Sequence, residues 1–143
     1  MEPQVKVRRA RREDFERVRS LLGATAPALR AERKRFRHLV STLREDLYIA
    51  ERAGDATLVG LAVIVYPRGL GVPTAVVRQL RGAPEAAAPL LDRARARAAA
   101  RGCVRLELQL DPGEVSATPA LVAALTRDGW TAGPRTLVRT VPG

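Results

Sequence analysis

The chain has 143 residues, and its formal net charge of +10 arises from 25 basic against 15 acidic residues, with arginine supplying nearly all of the excess. Aromatic residues make up 3% of the chain, which excludes a nucleic-acid surface built on stacked aromatic rings. The lone Cys103 excludes an internal disulfide and a metal centre built from several cysteines. No apolar run has the length of a signal or membrane span, so we expect one soluble, cytoplasmic domain over residues 1–143, without a membrane partner or bound metal.

Hydrophobic periodicity predicts the elements of the first half of the chain. Apolar residues alternate with charged ones over residues 5–9, which predicts a strand. A helix is predicted over residues 12–22, with acidic residues in its first turn and Gly23 after its last. Residues 46–52 and 58–66 predict the two strands of a hairpin, the second apolar enough to be covered on both faces. Before this hairpin, a second helix is predicted with an apolar face made of Leu29, Phe36, Leu39, Val40 and Leu43.

The second half of the chain continues with alternating strands and helices. We predict a strand at residues 74–80, a loop at 81–84 and an alanine-rich helix at 84–102. A strand at 103–110, a helix at 118–129 and a last strand at 130–141 follow. In the strand after Gly102, one face is predicted to hold Val104, Leu106, Leu108 and Leu110, and the other Cys103, Arg105, Glu107 and Gln109. This order predicts an α+β domain around a central mixed sheet.

The strand, loop and helix over residues 74–102 form a candidate anion site. A strand that turns directly into a helix points backbone N–H groups outward, at the positive end of the helix dipole. The sequence by itself does not say which anion such a turn holds.

Three local features are typical of one family. Residues 5–15 look like a first strand running into an acid-started helix, and residues 90–110 look like the helix and strand that follow a cofactor loop. The segment Leu125-Thr-Arg-Asp-Gly-Trp looks like a final helix ending in Gly-Phe. On these features the chain resembles the GNAT family of N-acetyltransferases over nearly its whole length. The resemblance implies an α+β fold, with a mixed sheet of about six to seven strands flanked by about four helices.

The resemblance also implies a function and a set of binding residues. It implies direct transfer of acetyl from acetyl-CoA to a small amine or peptide, by a protein that can form a homodimer. In the family, the pantetheine arm pairs with the strand before the loop, and the pyrophosphate rests on loop N–H groups among small residues. The positions that this assigns to acetyl-CoA are Val77, Arg78, Gln79, Leu80, Arg81, Gly82, Ala83, Ala86 and Ala87.

The chain departs from the family pattern where function would lie. Pro84 lacks an N–H, and Glu85 carries a negative charge where a small residue is expected. Leu125 stands where many members carry a tyrosine that protonates the departing thiolate. Catalytic residues are therefore unassigned, and Glu107 is either a base acting through water or an ion-pair partner of Arg105. The alternative function is a degenerate GNAT-fold module that binds an acyl-CoA or a protein partner without catalysis.

The second predicted helix carries a basic stripe beside its apolar face, made of Arg30, Arg33, Lys34 and Arg37. A solvated helix face explains this stripe better than nucleic-acid binding, because the sequence holds no recognisable nucleic-acid motif. Other polar residues have structural explanations too. We expect core positions with a hydrated hydroxyl for Tyr48 and Tyr66, a surface position for His38, and a packing role for Cys103.

Overall fold

A computed structural model describes residues 4–24, 26–109, 119–131 and 139. The strands are β1 (Val5–Arg9), β2 (Glu45–Arg52), β3 (Leu58–Val65), β4 (Thr74–Gly82) and β5 (Arg105–Leu108). The helices are α1 (Phe15–Leu21), α2 (Arg30–Ser41), α3 (Pro84–Ala100) and α4 (Pro119–Arg127), and a 3₁₀ turn (Arg12–Asp14) precedes α1. This order confirms the predicted α+β architecture. Most of the predicted last strand, residues 130–141, lies outside the described residues.

The described strands form one mixed sheet in the order β1-β2-β3-β4-β5. The first four strands are antiparallel neighbours, and β4 pairs with β5 in parallel. The mixed sheet and the β2–β3 hairpin are therefore confirmed. Within the described residues the sheet has five strands, against the predicted six to seven.

Two hydrophobic cores cover the two faces of the sheet. The α3-side core lies between the sheet and α3 and includes Ala62, Ile64, Val77, Leu80, Leu90 and Ala94. The α1/α2-side core lies beneath the first two helices and includes Val18, Phe36, Leu47, Ile49, Leu61, Val63 and Val76. Because side chains of a strand alternate between faces, the apolar strand β3 contributes to both cores, as its sequence predicted.

Helix α2 is shorter than its apolar pattern suggested. Leu29 adopts an extended backbone ahead of the helix, and Thr42 does the same after it. Leu29 and Leu43 therefore lie outside the helix and are 65% and 77% exposed, whereas Phe36 is buried. The prediction that all five apolar residues share one buried helical face was wrong at both ends.

Helices α3 and α4 end in the same hydrogen-bonded motif. Gly102 has a φ of +80°, its N–H donates to Ala99 O, and the next N–H, of Cys103, donates to Ala98 O. This is a Schellman cap, in which glycine adopts the left-handed conformation at low cost. Because the cap occupies the first residues after the helix, β5 starts only at Arg105. Consequently Val104 is 77% exposed and Cys103 packs on the α3-side core, which reverses their predicted faces.

Strand β4 continues through the predicted loop. Gly82 still pairs with Gly60 of β3, so α3 begins almost directly from the strand. A Cβ on Gly82 would lie 2.1 Å from the carbonyl oxygen of Val59, and one on Gly60 would lie 2.7 Å from the Cβ of Ala86. The glycine pair thus permits close approach of β3, β4 and the first turn of α3.

Candidate functional site

Strands β4 and β5 part about halfway along β4. Their parallel pairing runs from Thr74 opposite Arg105 to Val77 opposite Leu108. The N–H of Gln109 then donates to Val77 O at 3.0 Å, and this is the last contact between the two strands in the described part of the chain. Strand β4 continues to Gly82, paired with β3 on its other side. Among the described residues, no strand pairs with the other edge of β4 beyond Val77.

A β-bulge accompanies the parting of the strands. Val63 of β3 pairs with Gln79 and Ile64 pairs with Val77, so Arg78 is an extra residue in β4. Such a bulge bends its strand and increases the local twist. Arg78 is exposed at this point. We attribute the divergence of β4 from β5 to the bend at Arg78.

Pairing partners show which face each residue of the opening occupies, because directly opposed residues share a face. Gln79 and Arg81 are paired with Val63 and Leu61, which belong to the α1/α2-side core. Leu80 lies in the α3-side core and is 2% exposed, and Val77 in the same core is fully buried. Of the residues assigned to the pantetheine arm, Arg78 and Gln79 thus present accessible side chains, and the buried pair could contribute backbone groups alone.

The first turn of α3 has fewer free N–H groups than a typical phosphate loop. The N–H of Ala83 donates to Val59 O at 2.8 Å, and that of Ala86 donates to Ala83 O at 3.0 Å. Pro84 has no N–H. The N–H of Glu85 is therefore the remaining free backbone donor of the first turn. The carboxylate of Glu85 lies 3.5 Å from the guanidinium of Arg52. This exposed ion pair partly offsets the negative charge at the helix N-terminus.

The fold of the chain is similar to that of several solved structures, acetyltransferases among them. A transcriptional regulator from Bacillus halodurans superposes with a TM-score of 0.78 at 19% identity, over 96% of this chain and 99% of that one. A Trypanosoma brucei acetyltransferase gives 0.75 at 13% identity, and glucosamine-6-phosphate N-acetyltransferase from Arabidopsis thaliana gives 0.76 at 10%, each with the same coverage. The chain has the GNAT fold. No profile of a known protein family matches it, and no curated protein matches it in sequence.

In this GNAT-fold protein, the residues considered for proton transfer are engaged elsewhere. The side chain of Leu125 packs on the α3-side core, and its carbonyl oxygen accepts the hydrogen bond that the N–H of Trp130 donates in the C-terminal cap of α4. Glu107 pairs with Arg105 at 3.1 Å, which is the structural role that the sequence offered for it. Cys103 packs on the same core, and His38 is exposed, as expected of both. These positions supply a hydrophobic surface and an ion pair.

Tyr66 has a role that its sequence did not reveal. Its hydroxyl donates to Asp46 Oδ2 at 2.5 Å, a partner that we did not predict, while Tyr66 packs on the α3-side core and Tyr48 is a core residue, as expected of both. Two effects raise the pKa of Tyr66 above its usual range: burial is the larger, and the hydrogen bond to the Asp46 carboxylate is the next. A phenol held in this way is a poor acid, and Tyr66 lies beyond the end of β3 that is remote from Gly82.

The partner of Tyr66 is a fully buried carboxylate. Asp46 lies at the start of β2, with Arg9 at 2.7 Å and Arg97 at 3.2 Å from its two oxygens. The guanidinium of Arg101 stacks on the ring of Tyr66 at 3.9 Å. These contacts join β1, β2 and the C-terminal half of α3. Sequence reasoning missed the cluster because its members are far apart in the chain and its charged members resemble surface residues.

The described residues contain no group of three or more His, Cys, Asp or Glu side chains placed to hold a metal ion. None of their helices combines the length and apolar character required to cross a membrane.

Proposed function

We propose that this protein is an N-acetyltransferase that moves an acetyl group from acetyl-CoA directly to an amine. The observation that carries the proposal is the parting of β4 from β5 after Val77, with α3 starting where β4 ends. An open strand edge accepts an extended, amide-containing chain, and the adjoining helix N-terminus favours an anion. These are the two features that a pantetheine arm and a pyrophosphate require.

The opening fits the two parts of acetyl-CoA unequally. The edge of β4 over residues 77–80 would pair with the pantetheine arm. The pyrophosphate would lie over residues 81–87, where Ala83 and Ala87 are small but Pro84 and Ala83 offer no free N–H. Arg52, now beside Glu85, is close enough to turn toward a phosphate. We therefore expect weak binding, dominated by the arm.

Acetyl-CoA would supply a thioester whose carbonyl carbon accepts the amine lone pair. The protein's contribution would be orientation, because holding the reactants together lowers the entropic cost of the reaction. The one carboxylate in β4 and β5 is Glu107, which is paired with Arg105. We infer that the amine loses its proton to water, and that the thiolate leaves without a tyrosine donor at position 125. A slow enzyme follows from this arrangement.

The second candidate function is a GNAT-fold module that binds an acyl-CoA or a protein without catalysis. The observation that favours it is that Leu125, at the position assigned to the usual acid, packs against the α3-side core. Commitment of the Ala83 N–H to Val59 favours it as well. Cytoplasmic location, homodimer formation and a single domain over residues 1–143 remain predictions.

Calorimetric titration with acetyl-CoA, followed by a thiol-release assay over a panel of primary amines and peptides, tests both candidates. Binding with amine-dependent thiol release is the expected result. Binding without release over the whole panel would leave the non-catalytic module. Absence of binding at millimolar acetyl-CoA would exclude both acyl-CoA functions. A ligand at a hundred times its Kd stabilises a fold by about 2.7 kcal/mol, a gain that thermal unfolding with acetyl-CoA would also detect.

A matched pair of variants places the ligand. Ala87→Glu adds a carboxylate at the start of α3, where we assign the pyrophosphate; because Ala87 is half-buried against the α3-side core, thermal unfolding of this variant checks that it is folded. Ala96→Glu adds the same charge to an exposed position near the other end of the helix. We expect the first change to weaken acetyl-CoA binding about tenfold, or about 1.4 kcal/mol, and the second to leave it within about twofold. Equal effects would contradict the assigned position.

A further inference from the structure

A basic groove lies on the outside of α2. It has a volume of about 730 Å³, and the polar residues that line it are Arg12, Arg30, Lys34, Arg37, His38 and Ser41. Five of these residues lie on α2 at spacings of three or four, which places them along one face of the helix. From Arg30 to Ser41 they extend over about 16 Å, at 1.5 Å per residue. Arg12 approaches from the 3₁₀ turn before α1.

The positive charge of this groove has no acidic counterpart in the described part of the chain. No carboxylate there lies within 4 Å of Arg12, Arg30, Lys34 or Arg37. The acidic residues of the first two helices are used on the other side of α2. Glu32 pairs with Arg19 at 2.8 Å, and Glu16 pairs with Arg33 at 2.9 Å.

The structure therefore divides the basic stripe predicted from the sequence. Arg33 is held by Glu16, and its guanidinium lies 5.1 Å from the centre of the Phe15 ring. The other three members of the stripe converge on the groove together with Arg12. An ordinary solvated face would intersperse both signs of charge, whereas this concave face gathers one sign.

The groove is separate from the opening between β4 and β5. Helix α2 packs on β2 and on the 3₁₀ turn, near the β1 edge of the sheet. Strand β4 lies two strands farther on, which is roughly 10 Å at the usual strand spacing. The groove and the β4 edge therefore occupy different parts of the surface.

We propose that this groove binds a compact polyanion that carries two or more phosphate groups. Guanidinium groups match phosphate oxygens in geometry and remain charged at all physiological pH values. The basic face extends over about 16 Å, which favours a compact molecule with a few phosphate groups over a long strand. Among the described residues that line the groove there is no Phe, Tyr or Trp, the side chains on which proteins commonly stack the bases of single-stranded nucleic acid. The hydroxyl of Ser41 and the ring of His38 add hydrogen-bonding groups to the four cations.

Calorimetry with tripolyphosphate at physiological salt tests the proposal. The groove variant is Arg12→Gln, Lys34→Gln, Arg37→Gln. Its matched control is Arg35→Gln, Arg68→Gln, Arg127→Gln, which removes the same charge from exposed positions outside the groove. None of these six residues is in an ion pair with another described residue, so neither triple breaks a salt bridge that the structure shows. Thermal unfolding of both triples confirms that they are folded.

The wild-type protein should bind one tripolyphosphate, the groove variant should bind it at least about tenfold more weakly, and the control should stay within about threefold. Equal losses in the two triples would mean that the general field of the protein attracts the anion, which overturns the proposal. So would the absence of binding by the wild-type protein at millimolar probe.

Two further measurements distinguish other occupants. Acetyl-CoA binding should be the same in the groove variant and the wild-type protein, and a parallel loss would assign the groove to acetyl-CoA instead. A single-stranded RNA of about 15 nucleotides should bind no more tightly per phosphate than tripolyphosphate does. Much tighter RNA binding that depends on the three groove residues would overturn the compact ligand in favour of nucleic acid.

Discussion

Replacement of Gly82 by alanine tests whether the end of β4 lies as close to β3, just before α3 begins, as the structure shows. Gly82 has a φ of +125°, a backbone conformation that residues with a Cβ rarely adopt. Its added Cβ would also lie 2.1 Å from Val59 O and 2.5 Å from the Cα of Gly60. Both contacts are with backbone, so no side-chain rotation can relieve them. Strand β3 or the start of α3 must move.

The cost can be estimated from three contributions. The unfavourable φ costs about 1–2 kcal/mol. Overpacking against the backbone of β3 costs about 1–3 kcal/mol. Displacement of Val59 also endangers its 2.8 Å bond with the N–H of Ala83, for about 1 kcal/mol more. We expect a loss of about 4 kcal/mol in the free energy of unfolding, or roughly 12 °C in Tm for a chain of this size.

Three other glycines separate these contributions. Gly23 has a φ of +79° but open space around its Cβ position, so Gly23→Ala should cost about 1 kcal/mol. Gly60 has no strained φ but would place its Cβ 2.7 Å from that of Ala86, so Gly60→Ala should cost about 2 kcal/mol. Gly71 has neither feature, and its alanine variant should stay within about 0.5 kcal/mol of wild type.

Urea denaturation at pH 7, monitored by circular dichroism, measures all four variants under one condition. From most to least stable, the expected order is Gly71→Ala, Gly23→Ala, Gly60→Ala and Gly82→Ala. If Gly82→Ala were as stable as Gly71→Ala, the close pairing of β3 with the end of β4 would be refuted. Gly82 would then be explained by ligand approach alone.

Three more predictions concern charge and hydrogen bonding. Pro84→Ala combined with Glu85→Gln restores an N–H and removes a carboxylate at the start of α3, so calorimetry should show acetyl-CoA binding about two- to tenfold tighter; unchanged or weaker binding would contradict the assigned phosphate position. Burial acts to raise the pKa of Asp14, but the bonds donated by Arg8 and by the Arg11 N–H outweigh it and hold that pKa below its usual 3.8. Because the pKa of Asp14 is lower in the folded state, its carboxylate stabilises the fold above the unfolded pKa, and this stability is lost as the pH falls through the folded pKa. Asp14→Asn should therefore cost about 2 kcal/mol at pH 7 and progressively less below about pH 4 in urea denaturation. A cost that does not change with pH would exclude this linkage. Tyr66→Phe removes one donor to the buried carboxylate and should lower stability by about 1–3 kcal/mol, and a neutral result in the same assay would show that the arginines suffice.

The sequence by itself determined the order and nature of the elements in the described residues. Periodicity located β1 and the β2–β3 hairpin, and the apolar run of β3 correctly indicated burial on both faces. Gly102 and Gly129 correctly marked the ends of α3 and α4, because a helix C-cap depends on the conformational freedom of one residue. The likeness to the GNAT fold was visible from such local signals alone.

Tertiary structure decided the features that involve residues remote in sequence. Only strand pairing shows that Arg78 is bulged and that Gly82 is needed beside Val59. The burial of Asp46 against Tyr66 likewise depends on elements that are distant along the chain. Periodicity reports which way a side chain faces from its own element, whereas a bulge, a close backbone contact or an uncompensated charge depends on what the neighbouring element brings to it. The candidate site is made of such relationships, so the sequence could name its residues but could not show which of their groups are free to bind.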